Sequence, residues 1–224
     1  MTLQRETWTH ELSRRARTLW VLKMLANLSG IAVFFYAYFW VMRQPLSAAT
    51  AIPVTWIDDL VPFSPQSFFL YASLWVYVGL GSLFAKDGQE LAAWITACFA
   101  MIVVGLGIFM ALPTKVPDFA VDWSQYPSLE FLKAVDASGN ALPSLHAAFA
   151  VFTGVVLHGQ LTAIRAPRAV LACNVLWCLG IVYSAMATRQ HLALDIITGA
   201  VLAGAVSIAY LIASRAPNTA EEKS

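Results

Sequence analysis

Two histidines and one aspartate carry the chemistry that this sequence can support. His146 stands in "PSLH", Pro143 to His146, and His191 and Asp195 stand in "HLALD". His191 and Asp195 are four apart, so on a helix they share a face, with the later side chain leaning back toward the N-terminus. A carboxylate there can hold the imidazole. It fixes which ring nitrogen carries the proton, leaves the other free to attack or bind, and stabilises the cation formed on attack. A His–Asp hydrogen bond that only satisfies two polar groups would use the same residues. Ser144 is a favoured helix N-cap and follows Pro143, which suits a helix start. The open N–H groups and positive dipole end of such a terminus hold phosphate or carboxylate, unless Ser144 only caps the helix. Lys115 in "PTKVP" and Arg189, two residues before His191, could face a bound anion, although either alone reads more readily as a cation snorkelling to a membrane interface. Together these residues resemble a phosphoryl-transfer site, where positioned positive charge and an in-line nucleophile do most of the catalysis.

Membrane helices are the elements that must position them. The chain has 224 residues, 59% hydrophobic and only 12% charged, in apolar runs too long for the core of a soluble domain of this size. About 20 apolar residues cross a ~30 Å hydrocarbon core. Six such windows fit, at 19–42, 66–85, 91–112, 143–164, 168–188 and 193–213. The two-residue alternation of a barrel wall is missing. The fold expected is therefore all-α, a polytopic membrane bundle of six transmembrane helices. It divides into a cytoplasmic segment 1–18, a six-span domain 19–213 and a cytoplasmic tail 214–224, of which "RAPNTAEEKS" reads as disordered. The first span reads as an uncleaved signal anchor.

Charge sets the orientation. Arg5, Arg14, Arg15, Arg17 and Lys23 precede or open the first span, which leaves the N-terminus in the cytoplasm of a cell membrane protein, and six spans return the C-terminus to that side. Lys86, Arg165, Arg168, Arg215 and Lys223 then also fall inside. Arg43, Lys115, Lys133 and Arg189 fall outside, so ten of the 14 basic residues obey the rule. In this topology the fourth span starts outside at Pro143, and the fifth returns outside near Thr188. "PSLH" and "RQHLALD" thus share the extracytoplasmic face, their 45-residue separation being what two spans and a short turn require. His158 lies near the cytoplasmic end and reads as interfacial. The two long outside segments, 43–65 and 113–142, mix Pro with Trp, Tyr and Phe, as suits chain lying among headgroups.

Several classes drop away. A formal net charge of +1, with no basic stripe among aromatics, gives no case for nucleic acid. Cys98, Cys173 and Cys178 lie in predicted spans without a CxxC pair, so they read as packing residues rather than disulfides or metal ligands. Asn27 and Asn174 read as interhelical hydrogen-bond partners, and "GLGSLFA", "VVGLGIF" and "DIITGAVLAGA" as places of close helix approach. HExxH, the zinc hydrolase signature, is absent. A small transporter or lipid-binding membrane protein with a His–Asp proton relay stays open, against which stands the clustering of the ionisable groups at one face rather than mid-bilayer.

"PSLHAAF" resembles the second motif, Pro-Ser-Gly/Leu-His, of the type 2 phosphatidic acid phosphatase superfamily of six-span lipid phosphatases and phosphotransferases. "SAMATRQHLALD", Ser184 to Asp195, resembles its third. The likeness runs from "IDDLVPFSP" through "PTKVP" to the last span and is closest to the branch that includes inositol phosphorylceramide synthases. It implies that His191 is the nucleophile, forming a phosphohistidine, that Asp195 orients it, and that His146 protonates the leaving oxygen. It also implies phosphate contacts by Ser144, Lys115 and Arg189, a membrane lipid phosphate as substrate, and no metal or other cofactor. The first motif, Lys followed six residues later by Arg-Pro, is absent apart from Lys115, and the third-motif arginine is Ala185, with Arg189 nearer the histidine. Asp58 and Asp59 in "WIDDLVPF" fall where the branch often has an acidic residue, or serve a loop turn. The expected activity is that of a lipid phosphatase, with a head-group phosphotransferase as the alternative. The two share a first half-reaction and differ in whether water or a lipid hydroxyl attacks the phosphohistidine.

Overall fold

The computed structural model describes residues 7–135 and 139–214; Arg5, Arg215, Lys223 and the rest of the tail expected to be disordered lie outside them. Along the described chain run the helices α1 (Trp8–Arg17), α2 (Trp20–Met42), α3 (Trp56–Asp59), α4 (Phe68–Ala72), α5 (Leu74–Leu83), α6 (Gly88–Ala111), α7 (Pro127–Val135), α8 (Leu145–Ala163), α9 (Arg168–Ala187) and α10 (Ala193–Ala213). Five of them, α2, α6, α8, α9 and α10, are long and apolar enough to cross a membrane. They begin and end within three residues of the windows read from the sequence. Trp20, Leu28, Val33, Phe99, Leu176 and Ile212 stand more than half exposed on them. An outward surface of that kind needs an apolar solvent. The protein is a polytopic helical membrane bundle.

The second expected span departs from a single rod. Residues 66–85 form a 3₁₀ turn, Pro65–Ser67, then α4 and α5 with a break at Ser73. The Ser73 hydroxyl donates to the Leu70 carbonyl at 2.6 Å and accepts from Trp177 Nε1 at 2.9 Å. A side chain that competes for backbone groups in this way is a recognised cause of helix breaks. The sixth crossing is therefore made of two short helices, neither long enough to span alone.

α8 is the centre of the bundle, packing against α10, α9, α5 and α6, and is the most enclosed of the five long helices; α2 is the least. Tyr77, Ala150, Leu157 and Ile181 fill the space among α5, α8 and α9, and Trp94, Met101, Phe152 and Tyr210 that among α6, α8 and α10. Both expected asparagine pairings are present. Asn27 Nδ2 donates to Ser82 at 2.8 Å, while Asn174 accepts from the Tyr77 hydroxyl at 2.6 Å and donates to the Gly154 carbonyl at 3.0 Å. Cys98 and Cys178 pack against these clusters, whereas Cys173 lies exposed on α9 and is not a packing residue.

The two ends of the bundle are tied differently. At one end buried Lys23 donates to the carbonyls of Arg15, Leu83 and Ala85 at 2.7–2.8 Å, at the C-terminal ends of α1 and α5 where carbonyls lack helical partners. On α1, hydrogen bonds from Arg14 and then Arg15 pull the Glu11 carboxyl down to about 2. That local support is present above the ordinary carboxyl range and is lost as pH falls toward 2. At the other end, β1 (Thr50–Ala51) pairs in parallel with β2 (Thr114–Lys115), and the Thr114 hydroxyl accepts from the Leu142 amide at 2.9 Å. This short ladder draws both long inter-helix segments over the start of α8.

The small residues expected at helix contacts divide into two kinds. A Cβ on Gly199 of α10 would lie 2.2 Å from the Ser144 carbonyl oxygen, whereas one on Gly79, Gly107 or Gly204 would meet nothing within 4 Å. Backbone cannot move aside as a flexible side chain can. Gly199→Ala is therefore expected to lose about 1–3 kcal/mol of stability, while Gly204→Ala is neutral or slightly stabilising. Thermal unfolding of both variants in detergent checks the contrast.

Candidate active site

The site is built from the starts of two helices. At α8 the Ser144 hydroxyl accepts from the Ala147 amide at 3.1 Å, and the Ser144 carbonyl from Ala148 at 2.9 Å, so the helix begins there with His146 in its first turn. At α10 one Asp195 oxygen accepts from the amides of Leu192, at 2.7 Å, and Ile196, at 3.0 Å. The other lies 2.7 Å from His191 Nδ1. The expected His191–Asp195 contact is present, but its origin differs from the helical spacing argument. α10 starts at Ala193, so His191 precedes the helix. The pair meets because a third-position carboxylate reaches back to the cap residue's N–H, as in a capping box.

One backbone bond joins the two starts: the Ser144 amide donates to the Asp195 carbonyl at 2.9 Å. As a result the His146 and His191 rings stand 6.2 Å apart, centroid to centroid. Asp195 is fully buried and the His191 side chain 13% exposed. With Nδ1 committed to the carboxylate, Nε2 is the His191 nitrogen free to attack. His146 Nε2 is buried and has no hydrogen-bond partner among the described residues, a capacity that the fold itself does not use. Reacting atoms approach to about 3–3.5 Å and an acid stands about 2.6–3.2 Å from the atom it protonates. The ring separation suits one phosphoryl centre between the two imidazoles. Both line a cavity of about 990 Å³.

The other candidate residues surround this pair without entering the cavity. Ser144 is fully buried with its hydroxyl engaged in the cap. Arg189 adopts a left-handed backbone, φ 56°, donates from Nη1 to the Asp58 carbonyl at 3.2 Å and lies 4.9 Å from the Phe119 ring centroid. Lys115 is half-buried in β2, and its neighbours Val116 and Phe119 pack against Ile52, Ala141 and Leu192, which puts it at the histidine end of the bundle. None of the three lines the cavity. Ala185, where the resemblance places an arginine, is fully buried against Ala147, Ala193 and Ile196. Its carbonyl takes the amides of Gln190 and His191 at 3.1 and 3.0 Å. That position is closed packing with no room for a long cation. Among the described residues no three His, Cys, Asp or Glu side chains gather as a metal site requires.

Asp58 matters more than the sequence indicated. It is 1% exposed; one oxygen accepts from the amide and hydroxyl of Thr55, both at 2.7 Å, and the other from the Ala193 amide at 2.7 Å. With its carbonyl on Arg189, Asp58 holds the chain on both sides of His191. The acidic pair was visible in "WIDDLVPF", but a partner 135 residues away was not. Lys133 likewise donates to the Arg189 carbonyl at 3.2 Å, and Gln190 joins His191 in lining the cavity.

A profile described as the PAP2 superfamily matches residues 91–218, more than half of the chain, from α6 through α10 and including His146, His191 and Asp195. The match names no branch within the superfamily. No curated protein and no solved structure matches the chain.

Replacing Asp58 by asparagine leaves one acceptor oxygen where two are in use, so either Thr55 or Ala193 loses its partner. A buried donor left unsatisfied costs about 1–3 kcal/mol. Hydrogen exchange at whichever of the Thr55 and Ala193 amides is left unpaired is expected to speed by about tenfold or more in Asp58→Asn, and exchange at both is expected to stay unchanged in Asp59→Asn, since Asp59 is exposed.

Proposed function

The chain belongs to the PAP2 superfamily, whose members are phosphoric ester hydrolases or phosphotransferases. From that premise we propose that it is an integral membrane lipid phosphatase that cleaves a phosphate ester through a phosphohistidine at the extracytoplasmic face of the cell membrane. One observation carries the reading. The cavity lined by both imidazoles continues between α2, α5 and α6, past Phe34, Trp75, Phe99 and Phe149, to Asn27, Ser82 and Lys23. A phosphate held at the histidines would therefore be joined to whatever fills an apolar groove at bilayer depth. That is the shape of an amphiphile with a phosphate head and a hydrocarbon tail. Because the tail leaves one apolar medium for another, the groove contributes fit and selection rather than a hydrophobic driving force.

His191 Nε2 attacks phosphorus while Asp195 accepts the Nδ1 hydrogen and stabilises the positive charge that develops on the ring. His146 gives its proton to the departing lipid oxygen. Water then attacks the phosphohistidine, His146 takes a proton from it, and phosphate leaves. Ser144 is assigned the phosphate side of the site through the backbone at the start of α8, and Lys115 and Arg189 through their positive field, since their side chains do not line the cavity. The distribution of basic residues along the sequence, with ten on one side and four on the other, supports the orientation.

The test is purified protein in detergent with a panel of lipid phosphates and phosphodiesters, scored for free phosphate against new phospholipid. Free phosphate is expected. His191→Ala abolishes its release with the protein still folded, Asp195→Asn lowers kcat by roughly 10²–10⁴, and a chelator changes nothing. Full activity in His191→Ala removes the proposed nucleophile, and new phospholipid without free phosphate makes the enzyme a transferase.

A further inference from the structure

His191 has a carboxylate to orient it, whereas His146 has none among the described residues. What lies against the His146 ring is Tyr71. The two rings are stacked face to face, centroids 4.0 Å apart and planes within 8°. Tyr71 comes from α4, the short helix that ends at the Ser73 break, and the bonds of Ser73 to the Leu70 carbonyl and to Trp177 fix that helix end. Tyr71 packs as well against the cluster of Ala147, Ala185, Met186, Ala193 and Ile196, whose members Ala147 and Ala193 lie at the two helix starts. Tyr71 also precedes the segment that matches the superfamily, so this contact belongs to a part of the chain outside that match.

A histidine in the first turn of a helix is free to rotate about its outer torsion unless something flat confines it, since that torsion is broad and roughly two-fold. A parallel aromatic face removes that freedom and fixes the plane in which the ring nitrogens lie. We propose that Tyr71 is the positioning residue of the acid step, stacking on His146 so that the ring N–H meets the departing ester oxygen. This rests on the lipid phosphatase reading above. In the first half-reaction the His191–phosphorus bond forms as the phosphorus–oxygen bond breaks, and the proton passes from the His146 imidazolium to that oxygen. In the second, His146 recovers a proton from the attacking water as the nitrogen–phosphorus bond breaks.

An alkoxide is a poor leaving group and needs that proton, whereas an aryl oxide such as p-nitrophenolate leaves without it. The split between the two separates acid positioning from a general loss of structure, because a damaged nucleophile or a loosened fold slows both esters. The experiment measures kcat/KM, which reports steps through departure of the first alcohol, for dodecyl phosphate and p-nitrophenyl phosphate. It uses wild type, Tyr71→Phe and Tyr71→Leu, with thermal unfolding recorded for each. Tyr71→Leu is expected to lose between about 10-fold and 100-fold on the dodecyl ester while staying near wild type on the aryl ester. Tyr71→Phe, which keeps the flat face, restores the dodecyl rate. If Tyr71→Leu does not fold, Tyr71→Met, unbranched and without a ring, is measured in its place. Equal losses on both esters, no loss on either, or failure of Tyr71→Phe to rescue overturns the inference. A wild-type protein that turns over neither ester overturns the phosphatase reading and this inference with it, whereas wild-type turnover that depends on His191 but not on Tyr71 overturns this inference alone.

Discussion

The contact on which the site depends is the seating of one helix start on another. The Ser144 amide donates to the Asp195 carbonyl, and Gly199, one turn further along α10, leaves the space that the Ser144 carbonyl occupies. Neither group is chemical in the catalytic sense. Yet this bond and this missing side chain set the distance between His146 and His191, because each histidine lies within a few residues of the junction. Backbone groups at helix starts lack partners within their own helix. Two starts placed together can supply some of each other's needs, and here they do so with the two imidazoles beside them.

The environment explains why carboxylates recur as caps. In an apolar surrounding a polar group must find its partner inside the protein. Asp195 takes two amides and an imidazole, Asp58 takes two amides and a hydroxyl, and both are essentially inaccessible. Near the opposite end Glu90 is satisfied by the Lys86 amide, the Gln160 side chain and the Tyr210 hydroxyl, and Lys23 by three carbonyls. The two sets share a logic but differ in consequence. At the Glu90 and Lys23 end the partners fasten helices together, Gln160 Oε1 alone of that set being buried without a partner among the described residues. At the histidine end the same saturation leaves His146 Nε2 without a hydrogen-bond partner among the described residues, and both imidazoles line the cavity.

The elements outside the family match shape what the matched part can use. α2, the least enclosed of the long helices, forms a wall of the cavity with α5 and α6, while α3 and α4 bring Asp58 and Tyr71 to the histidines. Chain before residue 91 thus supplies the α2 and α5 walls of the groove together with Asp58 and Tyr71, and chain after it supplies the α6 wall, both histidines and Asp195.

The sequence by itself determined the helical class and five of the six crossings to within three residues, because these follow from apolar run length; it marked Asn27 and Asn174 as interhelical partners without showing what they meet, and offered His146, His191 and Asp195 as candidates from residue type and local spacing. It misjudged why His191 meets Asp195, since a helical face and a capping reach-back predict the same four-residue contact. It did not show the break at Ser73, whose second partner is Trp177, nor that Ala185 is closed packing. Nor could it show that Asp58 rather than Asp59 holds the start of α10, or that Tyr71 covers His146. Those were decisions of the tertiary structure, for one physical reason: each joins residues that only helix packing makes neighbours, and hydropathy and spacing record how a chain treats its solvent and its near neighbours, not which distant groups it closes against.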